Sequence, residues 1–138
     1  MGFVLEHVDD PSLILRRYSD FLTENGKIYV GVPSASSMHR LIGKKAGFLD
    51  DLRKLSEQDH LYGHKRYLTY DDWRGIIEAE GLVIKKAEGL FLAPFSTGQL
   101  RSLNLEERVL RALVDLAQEY PSLANSLFFE VQKVNAAM

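Results

Sequence analysis

The sequence predicts an α/β fold built around a parallel β-α-β unit. Two short apolar runs, Phe3-Val4-Leu5 and Lys27 to Val32, enclose a segment whose apolar residues have helical spacing. Apolar runs with little alternation are typical of strands covered on both faces. A strand, a helix and a strand joined by tight turns form a right-handed unit with parallel strands. With 46% hydrophobic and 26% charged residues, the 138-residue chain can form one packed core.

The segment between the two strands is predicted to form a helix from about Pro11 to Thr23. Asp10 can accept hydrogen bonds from the free N–H groups of the first turn, and proline is favoured at the first helical position. The apolar positions recur at steps of three and four residues: Ile14, Tyr18, Phe21 and Leu22. Asn25-Gly26 can adopt the left-handed conformation that ends a helix, so the second strand is predicted to begin at Lys27.

The rest of the chain predicts further elements around a long irregular region. Pro33 ends the second strand, and a polar loop, 34–37, follows at the edge where open parallel sheets bind ligands. From Met38 to Arg66 we expect short helices and loop across that edge. A helix is predicted from the capping box at 69–72 to Gly81, followed by a third strand at 82–84.

A long helix and a last strand complete the predicted order. The helix runs from about Leu105 to Glu119, with Asn104 and Glu107 as reciprocal caps. Its apolar stripe is Val109, Leu110, Leu113 and Leu116. The last strand is predicted at 127–131.

Composition and charge exclude several classes of protein. The formal net charge of −2 argues against a nucleic-acid-binding protein with a large basic excess. The absence of cysteine excludes disulfides, thiolate zinc sites and cysteine nucleophiles. The amino terminus lacks the basic region of a secretory signal, and the apolar runs are too short to cross a bilayer. We therefore expect a cytoplasmic protein that binds neither nucleic acid nor membrane.

The first candidate for chemistry is Glu6-His7, at the carboxyl end of the first predicted strand. A carboxylate can accept a hydrogen bond from a hydroxyl or an ammonium group, and an imidazole can move a proton near neutral pH. Both side chains could instead satisfy backbone groups and cap the following helix. On residue types alone we favour this second, structural role.

A second candidate is the group of three histidines in the irregular region, His39, His60 and His64. His60 and His64 are four residues apart with Asp59 beside them, a spacing that can hold a metal on a helix. Because Tyr62-Gly63 weakens that helix, we expect surface or loop histidines and no metal.

Basic residues of the same region form a third candidate. They are Lys44, Lys45, Arg53, Lys54, Lys65 and Arg66. Such a cluster could bind a phosphorylated substrate, because charged donors hold phosphate strongly. Acidic residues at 50, 51, 57 and 59 are interspersed among them, which is also typical of a solvated face.

Four segments in succession carry a resemblance to a known family. They are Val4 to Pro11 (VLEHVDDP), Asn25 to Ser34 (NGKIYVGVPS), Gly63 to Tyr67 (GHKRY) and Ala79 to Leu82 (AEGL). In combination they resemble the C-terminal half of a class I S-adenosylmethionine-dependent methyltransferase, over about Phe3 to Lys133. Residues 36–43 and 63–66 further resemble bacterial methyltransferases of type 11 or 12, associated with small-molecule or surface-saccharide biosynthesis.

The resemblance implies a Rossmann-like methyltransferase sheet whose last strand is antiparallel. The strands of this chain would be the fourth to seventh of the family, in the order 4-5-7-6. Since the sequence contains no G-x-G-x-G turn, residues 1–138 would be a single partial domain without the glycine-rich, cofactor-binding N-terminal half. Phe3 to His7 would then be an unpaired apolar edge, through which the chain would form a homodimer or bind the missing half.

The resemblance also implies a function. It is the transfer of a methyl group from S-adenosylmethionine to an oxygen or nitrogen of a small molecule. Glu6 and His7 would lie beside the cofactor, with His7 as the catalytic base. The acceptor-binding residues implied are Ser34, His39, His64 and Arg66. We expect the chain alone not to be fully competent, and the alternative is a non-catalytic, methyltransferase-like remnant that acts as a dimerising interaction module.

Overall fold

A three-stranded sheet with helices packed against it forms the centre of the computed structural model, which describes residues 1–134. The helices and strands, in chain order, are α1 (Pro11–Ser19), β1 (Lys27–Pro33), α2 (Met38–Lys45), α3 (Glu57–Leu61), α4 (Tyr70–Ala79), β2 (Leu82–Gly89), α5 (Thr97–Ser102), α6 (Glu107–Glu119), a 3-10 helix (Pro121–Leu123) and β3 (Ser126–Lys133). Within these residues, no helix combines the length and the apolar character needed to cross a bilayer.

The last strand lies in the middle of the sheet. The order is β1-β3-β2, and β3 is antiparallel to both neighbours, so β1 and β2 are parallel to each other. Val30 of β1 lies opposite Phe129 of β3. The side chains that these two strands direct into the core are all buried: Ile28, Val30, Val32, Leu127, Phe129 and Val131. The strands predicted at Lys27 to Val32, 82–84 and 127–131 are therefore present, with an antiparallel last strand between its neighbours.

The first predicted strand, Phe3-Val4-Leu5, is wrong. Gly2 forms an isolated parallel bridge to Gly31, made by hydrogen bonds from the Phe3 N–H to the Gly31 carbonyl at 2.8 Å and from the Gly31 N–H to the Met1 carbonyl at 2.9 Å. Phe3 has a φ of 53°, which takes the backbone out of the extended conformation, and the His7 N–H then donates to the Val4 carbonyl at 2.9 Å in a turn. Phe3 and Val4 are exposed, and Leu5 is the buried residue of this run.

Helix α1 begins where the sequence predicts and ends earlier. The Asp10 side chain accepts a hydrogen bond from the Leu13 N–H, and the helix ends at Ser19 instead of Thr23. Because the chain leaves helical geometry there, Phe21 does not continue the buried face. Tyr18 and Phe21 are exposed, and Leu15 provides the fully buried contact.

The capping box of α4 agrees with the sequence prediction, and the predicted cap of α6 does not. Thr69 and Asp72 exchange hydrogen bonds at the start of α4, which buries Trp73 and Ile77. Helix α6 begins at Glu107 after Glu106, and neither residue makes a side-chain cap there. Asn104 has a φ of 48° and lies outside the helix. The predicted apolar stripe of α6 is largely exposed, and Ala117 is its buried residue.

The main core lies between the sheet and the helices α1 and α4. Its buried members are Leu5, Leu15, Ile28, Val30, Val32, Trp73, Ile77, Leu82, Leu127, Phe129 and Val131. A smaller cluster around Leu92, Ala117 and Ala124 packs α6 against the loop after β2. The main core therefore fixes Leu5, and with it the start of the segment that carries Glu6 and His7.

Candidate functional site

A connecting segment, residues 63–68, crosses the carboxyl ends of the first segment and of β1. We call it the strap. At one end, the Lys65 N–H donates to the Glu6 carbonyl at 2.7 Å, and at the other the Ala35 N–H donates to the Leu68 carbonyl at 2.7 Å. The irregular region predicted across the sheet edge therefore lies there, and it places His64 against Glu6 and His7.

Arg66 of the strap holds the segment 5–9 in place. Its guanidinium donates to the carbonyls of Leu5 and Val8, both at 2.6 Å, and to that of Asp9 at 3.0 Å. These contacts position the backbone around Glu6 and His7. The predicted role of Arg66 in binding an acceptor stays a prediction, and the structure shows its guanidinium engaged by three backbone carbonyls.

Glu6 is a buried carboxyl group without a full set of partners. It is 1% exposed, and its Oε2 has no hydrogen-bond partner within residues 1–134. Its Oε1 lies 3.7 Å from Nε2 of His7. Burial raises the pKa of Glu6, although its own backbone N–H and the charges of His7, His64 and Arg66 oppose the change. A buried polar atom without a partner costs about 1–3 kcal/mol, so this oxygen is a place where a ligand would be stabilised.

The two imidazoles beside Glu6 are both held through Nδ1. Nδ1 of His7 lies 3.1 Å from the Gly63 carbonyl, and Nδ1 of His64 lies 3.0 Å from Oδ1 of Asp59. Because a carbonyl and a carboxylate only accept, each Nδ1 carries a proton, and in the neutral form of either ring the lone pair is at Nε2. The ring centroids are 4.8 Å apart with an interplanar angle of 65°.

Asp59 is an ionised partner for His64. Burial alone would raise the pKa of the Asp59 carboxyl. Hydrogen bonds from Ser56 and His64 outweigh burial and lower this pKa below its usual value. From the sequence, Asp59 is predicted only to lie beside the pair of His60 and His64. Ser56 and Asp59 exchange hydrogen bonds in the capping box of α3. This spacing is the sequence signal from which the position of Asp59 in the first turn of α3 could have been predicted.

The second strand-end segment, the loop 34–37, carries buried polar groups that do have partners. Ser34 is fully buried, with its Oγ 3.0 Å from that of Ser36, and Ser36 donates to the Ser122 carbonyl at 2.8 Å. Ser37 is also fully buried, with its Oγ 3.2 Å from Nδ1 of His39. Burial, followed by the charge of Arg40, lowers the pKa of His39.

The structure therefore divides the predicted site residues into two groups. Glu6, His7 and His64 converge, each offering a ligand atom within 4.8 Å of the others. Ser34 and His39 lie in the second segment, in the hydrogen bonds just described. His60 is exposed on α3, while His64 turns toward His7, so the two do not share a helical face.

An apolar groove lies at the opposite end of β1. Its volume is about 520 Å³, and it is lined by Met1, Val4, Ile14, Tyr18, Phe21, Leu22, Lys27, Ile28 and Tyr29. None of the residues Glu6, His7 and His64 lines it. The groove and the polar site are therefore separate features.

Comparisons with known proteins identify the fold. No family model matches the sequence, and no curated protein matches it. Among solved structures, an S-adenosylmethionine dependent methyltransferase from Mesorhizobium loti matches with a TM-score of 0.57 and 13% sequence identity. The fold is methyltransferase-like. The match covers 96% of this chain and 59% of the other, so the chain spans less than two thirds of the length of that methyltransferase.

Proposed function

We propose that this chain is the acceptor-side part of an S-adenosylmethionine-dependent methyltransferase that acts on an oxygen or nitrogen of a small molecule. The observation that carries the proposal is the position of Glu6 and His7 in a methyltransferase-like fold. Both follow the segment that pairs in parallel with β1, at the edge where β1 also ends. In open α/β sheets this edge is where ligands bind.

The strand arrangement supports the same proposal. β1, β3 and β2 would correspond to the fifth, seventh and sixth strands of a methyltransferase sheet, because β3 is antiparallel and central. Met1 to Phe3 would correspond to the fourth strand, reduced here to the bridge between Gly2 and Gly31. Since the match leaves part of the Mesorhizobium protein uncovered, we propose that methyl transfer requires protein outside these 138 residues.

The residues present fit part of the cofactor. The free Oε2 of Glu6 can accept from a hydroxyl or an ammonium group of the cofactor or of the acceptor. The sequence has no G-x-G-x-G turn to hold the remainder, so binding by this chain alone should be weak. When bound, S-adenosylmethionine supplies a sulfonium methyl group that a nucleophilic oxygen or nitrogen attacks.

His7 is the candidate base of this proposal. Its Nδ1 is engaged by the Gly63 carbonyl, and its side chain is 38% exposed, so Nε2 can take a proton from an acceptor hydroxyl or amine. His64 faces the His7 ring and would contact the acceptor. Ser34, His39 and Arg66 are proposed to line the acceptor side through the two strand-end segments.

Calorimetric titration of S-adenosylmethionine into the chain at high concentration tests the proposal. We expect weak 1:1 binding that Glu6→Gln reduces and that the matched control Glu88→Gln leaves unchanged, because Glu88 pairs with Lys86 on the exposed part of β2. In a complete enzyme containing this segment, His7→Ala should lower turnover. Absence of heat from the chain, together with unchanged turnover of His7→Ala, would remove the proposal.

The apolar groove favours a second candidate function, a non-catalytic module that dimerises. Phe21 is 84% exposed at the groove, and Phe3 and Val4 expose apolar surface beside the parallel bridge. Apolar surface of this kind is typical of an interaction site. Sedimentation would show a dimer that Phe21→Ser dissociates and that Phe48→Ser, at an exposed position outside the groove, does not. A monomer at all concentrations would exclude this candidate.

A further inference from the structure

We propose that Glu6, His7 and His64 form a binding site for a divalent transition-metal cation, with one carboxylate oxygen and two imidazole nitrogens as ligands. Each residue offers one ligand atom, and these atoms lie within 4.8 Å of one another. The site is distinct from the predicted helical pair of His60 and His64, since it joins residues 57 positions apart in the chain. The geometry carries the site without reference to methyl transfer. A cation on Nε2 of His7 would occupy the lone pair that the proposed base uses, so with the cation bound His7 is a ligand and not the base.

The unpartnered oxygen of Glu6 points to a cation. Oε2 is buried and has no hydrogen-bond partner among the residues that the structure describes. A buried carboxylate is stable when it is paired or when it coordinates a metal. A cation between Glu6 and the two imidazoles supplies the missing partner and offsets the negative charge at once.

The hydrogen bonds at Nδ1 of both histidines point to a metal in particular. Metal-binding histidines nearly always donate the other ring N–H to a carboxylate or a backbone carbonyl, which fixes the tautomer and the ring orientation. Here the Asp59 carboxylate holds Nδ1 of His64, and the Gly63 carbonyl holds Nδ1 of His7. Both Nε2 lone pairs are then free for coordination, and Nε2 of His7 already faces Oε1 of Glu6 at 3.7 Å.

The strap explains how the ligands stay near each other. Gly63 has a φ of +76°, a conformation that glycine adopts without strain, and this conformation precedes His64 directly. The Lys65 N–H bond to the Glu6 carbonyl then fixes the strap against the ligand segment. Donors around a tetrahedral cation lie about 3.3 Å apart when metal–ligand distances are about 2.0 Å, so small side-chain rotations close the site.

The donor set selects the class of metal. Imidazole with carboxylate suits Zn²⁺, Co²⁺ and Ni²⁺, whereas Mg²⁺ and Ca²⁺ prefer sites made only of oxygen. Three protein ligands leave a fourth position for water or for a ligand. The partial exposure of His7 gives that position access to solvent.

Titration of Zn²⁺ into the tag-free, full-length chain tests the proposal by calorimetry. We expect 1:1 binding, weakened at least tenfold by Glu6→Gln and by His64→Gln. The matched control is His60→Gln, since His60 is an exposed histidine four residues from His64. Asp59→Asn keeps all three ligands and alters the carboxylate that holds His64 and also caps α3, and it should weaken binding about tenfold. Mg²⁺ should give no comparable binding.

Two further measurements keep the result interpretable. Thermal unfolding checks that each variant is folded. A Zn²⁺ concentration that just saturates the wild type should raise the midpoint of the wild type and of His60→Gln equally, and that of the weaker-binding variants by less. Co²⁺ should give the visible absorption of a four-coordinate site in the wild type and lose it in Glu6→Gln. Equal Zn²⁺ affinity of folded Glu6→Gln and wild type, loss of binding in His60→Gln, or no binding by the wild type would each overturn the proposal.

Discussion

Two segments at the same sheet edge carry buried polar side chains, and they differ in whether those side chains have partners. In the loop 34–37, the hydroxyls of Ser34 and Ser37 are fully buried and each has a side-chain partner. In the segment 5–9, Glu6 is equally buried, but its Oε2 has none within residues 1–134. The partnered hydroxyls of the loop 34–37 stabilise the fold. The unpartnered Oε2 of Glu6 lowers the free energy of unfolding, and a ligand that binds this oxygen would remove that loss.

Hydrogen-bond partners therefore distinguish candidate residues that the sequence does not distinguish. The resemblance implied that Glu6 and His7 lie beside the cofactor and that Ser34 and His39 bind the acceptor. The hydrogen bonds give the Ser34 hydroxyl a partner within the fold, whereas Oε2 of Glu6 has none within residues 1–134. The three carbonyl contacts of Arg66 also contribute to the fold, because they keep the segment around Glu6 in its buried position.

The largest effect on stability is expected for Arg66→Ala. The change leaves the carbonyls of Leu5, Val8 and Asp9 without their charged donor, and we expect a loss of about 3 kcal/mol in the free energy of unfolding. The control Arg74→Ala removes an exposed pair with Glu78 and should cost less than about 0.5 kcal/mol. Urea denaturation measures both, and equal losses would contradict the role given to Arg66.

Smaller changes in the free energy of unfolding should distinguish the loop 34–37 from the segment 5–9. Ser37→Ala removes the partner of His39 and should lower the free energy of unfolding by about 1 kcal/mol. Glu6→Gln keeps the shape of the side chain and removes a buried carboxyl group whose Oε2 has no partner within residues 1–134, so in metal-free buffer at pH 8 it should cost nothing or stabilise. If Glu6→Gln were as destabilising as Ser37→Ala, the carboxylate would have a structural partner after all.

The pH dependence of stability should have opposite signs at two carboxyl groups. The Arg53 guanidinium and the capping Thr69 lower the pKa of Asp72 to about 2, so its contribution is present above 3.8 and is lost as pH falls toward 2. Burial raises the pKa of Glu6, so its protonated form favours the folded state below 4.5, and that contribution is lost as pH rises through the folded pKa.

Urea denaturation from pH 2 to pH 8 resolves the two. Asp72→Asn should cost about 1 kcal/mol at pH 7 and nothing near pH 2. Glu6→Gln should remove the fall in stability above pH 4.5 and leave the acid limb unchanged. A wild type and Glu6→Gln with parallel curves over the whole range would show that Glu6 titrates as an exposed glutamate does.

Local signals predicted much of the fold. The cap at Asp10, the capping box of Thr69 and Asp72, and the strand that begins at Lys27 each depend on a few neighbouring residues. The end of α1 at Ser19 and the left-handed Phe3 depend on tertiary packing, which overrides helical spacing and strand propensity. The candidate site was predictable only in part, because the contact between His7 and His64 is formed by the strap and no spacing in the sequence reports it.

The central claim is that the segment 5–9, which carries the unpartnered Oε2 of Glu6, forms the ligand site together with His64. A long-range ¹H–¹⁵N NMR spectrum of the four histidine rings, recorded without and with one equivalent of Zn²⁺, tests this claim. We predict that His7 and His64 start with the proton on Nδ1 and that their Nε2 signals alone move on addition of the cation. The rings of His39 and His60 should keep their signals. Movement confined to His39 or His60, or no movement of His7 and His64, would contradict the account.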